Sequence, residues 1–259
     1  MYKNLLGVAV YLVASWCFSA QLSPIAKPHI ISGLDDVLRQ AENTGILKSA
    51  LKLFEADKTF AGMPEFYQLM AAGAPEPKIT LISAISTVFQ NRIECFLLSN
   101  GFPASKFYFR SWLFQWGITD FKMNTIDQII RQNPEKRFIV ILDNSSASIN
   151  FTLRIQKTYP EKVSAVYLRQ VVLKPVPEKA SPFYTAFDIA INEYTYGRLS
   201  FADVQATAAA ILKVSEKSLI FPDYAQCPKD YEPCKGASKD SAQLCQTMKN
   251  FVRTLCLAT

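Results

Sequence analysis

Apolar positions come in short runs and helical stripes along this chain, and the alternation between the two sets its architecture. Ile30-Ile31-Ser32-Gly33-Leu34 is a compact apolar run closed by Asp35 and Asp36, which predicts a buried strand. From Leu38 to Phe54 apolar residues recur at roughly helical spacing, through Ile46, Leu47, Leu51 and Leu53. Ala61-Gly62-Met63-Pro64-Glu65 interrupts the pattern, and Pro64 suits the first turn of a helix running to Met70. A loop with Gly73, Pro75 and Pro77 leads to a second strand, Ile79–Ile82, ending at Ser83. Arg92–Ser99 reads as a helix stopped by Asn100-Gly101-Phe102-Pro103. Lys106–Phe109 predicts a short strand. Phe114–Phe121 is irregular, and Met123–Gln132 is a helix with Ile126, Ile129 and Ile130 on one side. Arg137–Leu142 is a strong strand ending at Asp143; a helix follows to about Lys157, then a strand over Val163–Leu168.

Strands alternating with helices predict an α/β fold of three layers, a mostly parallel sheet with helices on both faces. Polar residues close the strands at their carboxyl ends: Asp35, Ser83, Asp143 and Arg169. In open sheets of this kind ligands bind at that edge, so one site is expected there. Val171–Pro182, with Pro175, Pro177 and Pro182, reads as a linker to a small C-terminal helical extension, residues 183–259. Within it Ser200 suits the N-cap of a helix over 201–213, and Asp240-Ser241 precede a final helix to about Leu255.

The cysteines and the first residues change the picture. Four of the 6 cysteines, Cys227, Cys234, Cys245 and Cys256, fall in the extension and read as two disulfides of an oxidising compartment. Cys245 and Cys256 share a face of the final helix and cannot pair within it; Cys227 and Cys234 on the preceding loop are the alternative partners. Residues 1–19, with Lys3, the apolar run Leu5–Phe18 and a small-residue end, are expected to be a secretory signal peptide, giving a secreted or periplasmic protein.

Composition adds less. With 259 residues, 49% of them hydrophobic and 19% charged, the chain supports one sizeable core. The formal charge of +6 is spread along it, which suits an ordinary basic surface or an anionic partner such as a membrane surface. No basic run interleaved with aromatics marks a nucleic-acid groove, so nucleic acid is not an expected partner.

The strand-end residues are those that phosphoryl transfer uses. One route takes a strand-end carboxylate as nucleophile and a second as acid/base. A hydroxyl and a lysine hold the phosphoryl oxygens, and a further carboxylate binds Mg²⁺. Asp35, Ser83, Lys122 and Asp143 occur in that order. Other residues invite structural readings: His29 at the start of the first strand, Cys95 as a buried helical thiol, and Trp112, Phe114 and Trp116 as core, lid or a lipid-contacting surface.

Longer phrases carry a resemblance: Phe60-Ala61-Gly62-Met63-Pro64-Glu65-Phe66-Tyr67, Asn100-Gly101-Phe102-Pro103, Arg137-Phe138-Ile139-Val140-Ile141-Leu142-Asp143, Tyr159-Pro160-Glu161-Lys162-Val163 and Val166-Tyr167-Leu168-Arg169. Over residues 28–172 the chain resembles the catalytic domain of the actin-patch-type phosphatidate phosphatases, a branch of the haloacid dehalogenase superfamily. The resemblance implies a haloacid dehalogenase-like fold and an Mg²⁺-dependent site. The family's first motif, D-x-D-x-[TV], falls on Gly33-Leu34-Asp35-Asp36-Val37. That places Asp35 at the acid/base position, where it also serves the metal, and Gly33 at the nucleophile. Ser83 and Lys122 match the phosphate-binding hydroxyl and lysine. Asp143 matches a metal ligand, while Ser148 and Gln170 stand where the family has acids.

Three acidic positions are thus replaced. The implied function is that of an exported phosphatase-like protein, a pseudoenzyme that retains affinity for a phosphorylated lipid or a small phosphate ester. The alternative is an active Mg²⁺-dependent phosphatase with a rearranged site.

Overall fold

The computed structural model describes residues 27–41, 58–111, 117–172, 174–225, 227–234 and 239–257. The expected signal peptide, Trp112, Phe114, Trp116 and most of the stripe from Leu38 to Phe54 lie outside the described residues.

Six strands form one sheet: β1 His29–Gly33, β2 Ile79–Ser86, β3 Lys106–Arg110, β4 Phe138–Asp143, β5 Val163–Arg169 and β6 Ser181–Phe183. Their order is β3-β2-β1-β4-β5-β6, and every pairing is parallel. The first three strands build outward from β1, and the chain then returns to add β4 on its other side. Right-handed crossovers in opposite directions place the helices on opposite faces.

The two cores follow from this. On one face, helices α1 Met63–Ala71 and α2 Gln90–Ser99 pack with Ile30, Leu81, Ile139 and Tyr167. On the other, α3 Ile118–Gln132 and α4 Ser146–Thr158 pack with Ile31, Ile82, Val140 and Leu168. Alternate residues of each strand serve alternate faces, and both faces are covered, so the central strands are apolar throughout.

The expected three-layer α/β fold is observed, with three local differences. Helix α3 starts at Ile118, inside the stretch that reads as irregular from sequence. Ser181–Phe183 extends the sheet beside β5 instead of serving only as a linker, and buries Phe183 completely. Cys95 is exposed, not buried, because Ile93 and Leu97 are the positions of α2 that face the sheet; the thiol lies on the opposite side of the turn.

Beyond the sheet come α5 Ala186–Thr195, α6 Phe201–Leu212 and α7 Ala242–Leu257. Ser200 and Asp203 form a reciprocal capping box that starts α6, as the sequence predicts for Ser200. Phe187, Ala208, Ile211, Met248 and Val252 join the same core as α1. Gly62, at φ 77°, permits the close approach of α1 to α6: a Cβ there would lie 2.7 Å from Ile211. The disulfides are Cys227–Cys256 and Cys234–Cys245, each joining the preceding loop to α7. Among the described residues, no helix is long and apolar enough to cross a membrane.

Candidate functional site

The register of the three central strands brings the predicted residues to one edge. Gly33 pairs with Ile82, and Ser32 with Ile141, so Ser83 and Asp143 both lie about one residue beyond the level of Gly33; Asp143 ends β4, whereas β2 runs past Ser83, through a register shift, to Ser86. β1 and β4 are neighbours at the point where the strand order reverses, the crevice that open α/β sheets use for ligands.

After Gly33 the chain makes a tight loop. The backbone N–H groups of Leu38 and Arg39 donate to the Leu34 carbonyl, and that of Asp36 to the Arg39 carbonyl. Asp36 closes the loop at φ 57°, a left-handed conformation that aspartate tolerates better than most residues. The loop aims Asp35 and Asp36 differently. Asp35 Oδ2 accepts from Ser83 Oγ at 2.9 Å, and its Oδ1 accepts from Arg39 Nη2 at 2.6 Å. Asp36 Oδ1 accepts from the Ala41 N–H at 3.0 Å and from Tyr224 Oη at 2.7 Å. Asp35, Asp36, Arg39 and Ser83 are all buried.

Asp143 ends β4 and organises the start of α4. Its Oδ1 accepts from the Ser145 N–H at 2.7 Å and from Ser148 Oγ at 3.3 Å. Ser145 caps the helix, accepting from the Ser148 N–H. Ser148 therefore turns a hydroxyl, not a second carboxylate, toward Asp143. Gln170 accepts weakly from Asn144 Nδ2 at 3.4 Å, while Asn144 Oδ1 takes the N–H groups of Val171 and Val172. Gln170 is thus joined to a neutral amide network.

Gly33 has ordinary backbone geometry. A Cβ there would point at Val37 Cγ2, 3.3 Å away, and Leu142 Cδ2, 3.7 Å away. Lys122 lies near the amino end of α3, one turn before Ile126, so it starts from the sheet's carboxyl edge and shares the helix face that packs on β2. No hydrogen bond among the described residues ties it to Ser83, Asp35 or Asp143.

A hard divalent cation needs several oxygen ligands, carboxylates first. Among the described residues no three His, Cys, Asp or Glu side chains converge to hold a metal ion. Both oxygens of Asp35 are engaged by Arg39 and Ser83, which leaves Asp143 with serine and backbone donors around it. The donor set does not fit Mg²⁺ as it stands.

Arg39 carried no sequence signal, because its spacing of four from Asp35 marks an ion pair only on a helix and the two lie on a loop. Tyr224 had no sequence signal, because it arrives from a segment 188 residues away from Asp36.

His29 opens β1 at the opposite, amino edge, with its ring 6.2 Å from that of Phe138. Partial burial and then Lys136, Lys78 and Lys106 hold its pKa below the usual histidine value. It plays no part at the carboxyl edge.

No curated protein and no solved structure matches the chain. The family model for the Phosphatidate phosphatase APP1, catalytic domain, matches residues 28–170, more than half of the sequence and all of the strands that form this edge except β6. The chain therefore belongs to the family of the phosphatidate phosphatase APP1 catalytic domain.

Proposed function

We propose that this protein is an exported, catalytically impaired member of its family, which holds a phosphorylated ligand at the carboxyl edge without hydrolysing it. The observation that carries this reading is Gly33. It stands where the resemblance puts the attacking carboxylate, beside Ile82 of β2, and has no side chain to attack with. Loss of a covalent nucleophile costs about a million-fold in turnover by analogy with protease knockouts. Asp36 offers no replacement, since its carboxylate is turned to Ala41 and Tyr224. Asp35, at the acid/base position, is committed to Arg39.

Ser83 and Lys122 are the phosphate-holding groups in this reading, and a lipid phosphate headgroup is the first ligand class, in keeping with the family. With Ser148 and Gln170 in place of acids, the edge repels an anion less than a full carboxylate set would. The two disulfides support export, because they need an oxidising compartment to persist.

The competing reading, an active Mg²⁺-dependent phosphatase with a rearranged site, draws on the retained contact of Ser83 with Asp35 and on the position of Asp143. Assays of the mature protein with Mg²⁺ on phosphatidate and on a simple phosphate ester separate the two. Background rates are expected. Clear turnover that Asp35→Asn abolishes would establish the competing reading instead.

A further inference from the structure

We propose that Arg169 is the principal anion-binding group of this edge, taking two oxygens of a phosphate monoester side-on through Nε and Nη2. This rests on the reading that the site holds phosphate, and it names a residue which that reading does not use.

Arg169 ends β5 directly beside Asp143 in the strand register. Its guanidinium is fixed on three sides. Phe60 covers one ring-to-plane approach, with the guanidinium carbon 3.8 Å from the ring centroid, and Phe183 lies 4.7 Å away. Nη1 donates to the Tyr184 carbonyl at 2.9 Å. The remaining edge, Nε with Nη2, is buried and finds no acceptor among the described residues. Those two nitrogens present parallel N–H groups, the fork that matches two oxygens of a carboxylate or phosphate.

The carboxylates of Asp188 and Asp36 act on the guanidinium through their charge, while their hydrogen bonds go to other groups. Asp188 accepts from Tyr231 Oη at 2.6 Å and from the N–H groups of Tyr184 and Thr185. Asp36 accepts from Ala41 and Tyr224. Gln170, next in sequence, is neutral. The whole Arg169 residue is only 3% exposed, and burial pushes its pKa down to about 10, so it remains cationic at neutral pH. A buried cation with two unsatisfied donors is costly to the fold, and a bound anion removes that cost. The aromatic faces fix the plane before the ligand arrives, so little freedom is lost on binding.

The test uses the disulfide-bonded mature protein. Inorganic phosphate binding is measured by calorimetry, and lipid binding by co-sedimentation with phosphatidylcholine vesicles carrying phosphatidate. Vesicles carrying phosphatidylglycerol at matched surface charge serve as the diester control. Arg169→Lys keeps the charge but loses the fork, and it is expected to weaken phosphate binding at least about tenfold. Arg169→Met fills the space between the rings without charge and is expected to abolish it. Binding to phosphatidate but not to free phosphate assigns a lipid headgroup; binding to both assigns the monoester itself. A crystal structure of the wild type with inorganic phosphate keeps the question open to refutation even if both variants misfold: oxygens are expected within hydrogen-bond distance of Nε and Nη2.

Phosphate seated on Ser83 and Lys122 instead, or equal affinity in Arg169→Lys and Arg169→Met, would overturn the role of Arg169 while leaving the phosphate-holding reading intact. Absence of any phosphate or phosphatidate binding by the wild type, or equal binding to both anionic vesicles, would overturn both. Turnover by the wild type would remove the impairment alone, and the Arg169→Lys comparison would still decide the present point through KM.

Discussion

Arg39 Nη2 meets Asp35 Oδ1 at 2.6 Å with both side chains out of solvent, so the Asp35 carboxylate is one half of a buried ion pair. Removing one partner of such a pair strands the other. Arg39→Met is expected to cost about 3–5 kcal/mol in urea unfolding, and the double variant Arg39→Met with Asp35→Leu to recover a large part of it. A loss under about 1 kcal/mol for the single variant would show that the pair is not what holds the loop after β1.

Gly33→Asp adds a Cβ 3.3 Å from Val37 Cγ2 and 3.7 Å from Leu142 Cδ2 and puts a carboxylate beside these apolar side chains. It is expected to destabilise by about 1–3 kcal/mol through overpacking and the burial of a charged group. Turnover on phosphatidate is expected to stay at background, because Asp35 remains tied to Arg39 and Ser148 adds no carboxylate beside Asp143. Parallel unfolding and activity measurements check both halves; recovery of turnover by this single change would show that the nucleophile alone was missing.

The two disulfides close loops of different length. Cys227 and Cys256 are 29 residues apart, Cys234 and Cys245 only 11. Chain entropy assigns the first roughly 3–4 kcal/mol and the second roughly 3. Replacing each pair by serines, one pair at a time, is expected to lower stability in that order, with the difference under about 1 kcal/mol.

Stability between pH 5 and 7 has one histidine to depend on. Burial and nearby lysines lower the pKa of His29 in the folded protein, so the unfolded chain binds more protons in this window. The sign follows: stability rises with pH from the folded pKa up to the ordinary histidine value of 6.5, and acidification lowers it. His29→Gln is expected to flatten that slope in denaturant midpoints measured across the window. An unchanged slope would place the dependence on carboxylates titrating at its acid end.

The sequence by itself determined the layers. Apolar runs such as Phe138–Leu142 are long enough and regular enough to be strands whatever surrounds them, and their alternation with helical stripes leaves little choice but a parallel sheet. It also located the edge, because Asp35, Ser83, Asp143 and Arg169 close apolar runs. These are local properties, carried by neighbours along the chain.

Tertiary structure decided what each of those residues touches. Only the fold turns Ser83 and Arg39 to the same carboxylate, brings Tyr224 to Asp36, and sets Arg169 against Phe60 and Phe183 with one edge unpaired among the described residues. Ser83 and Asp35 are 48 residues apart, and Tyr224 and Asp36 188, separations over which residue spacing carries no directional information. The exposure of Cys95 was decided in the same way: the apolar neighbours that suggested burial are on its helix, but the phase set by Ile93 and Leu97 turns the thiol outward.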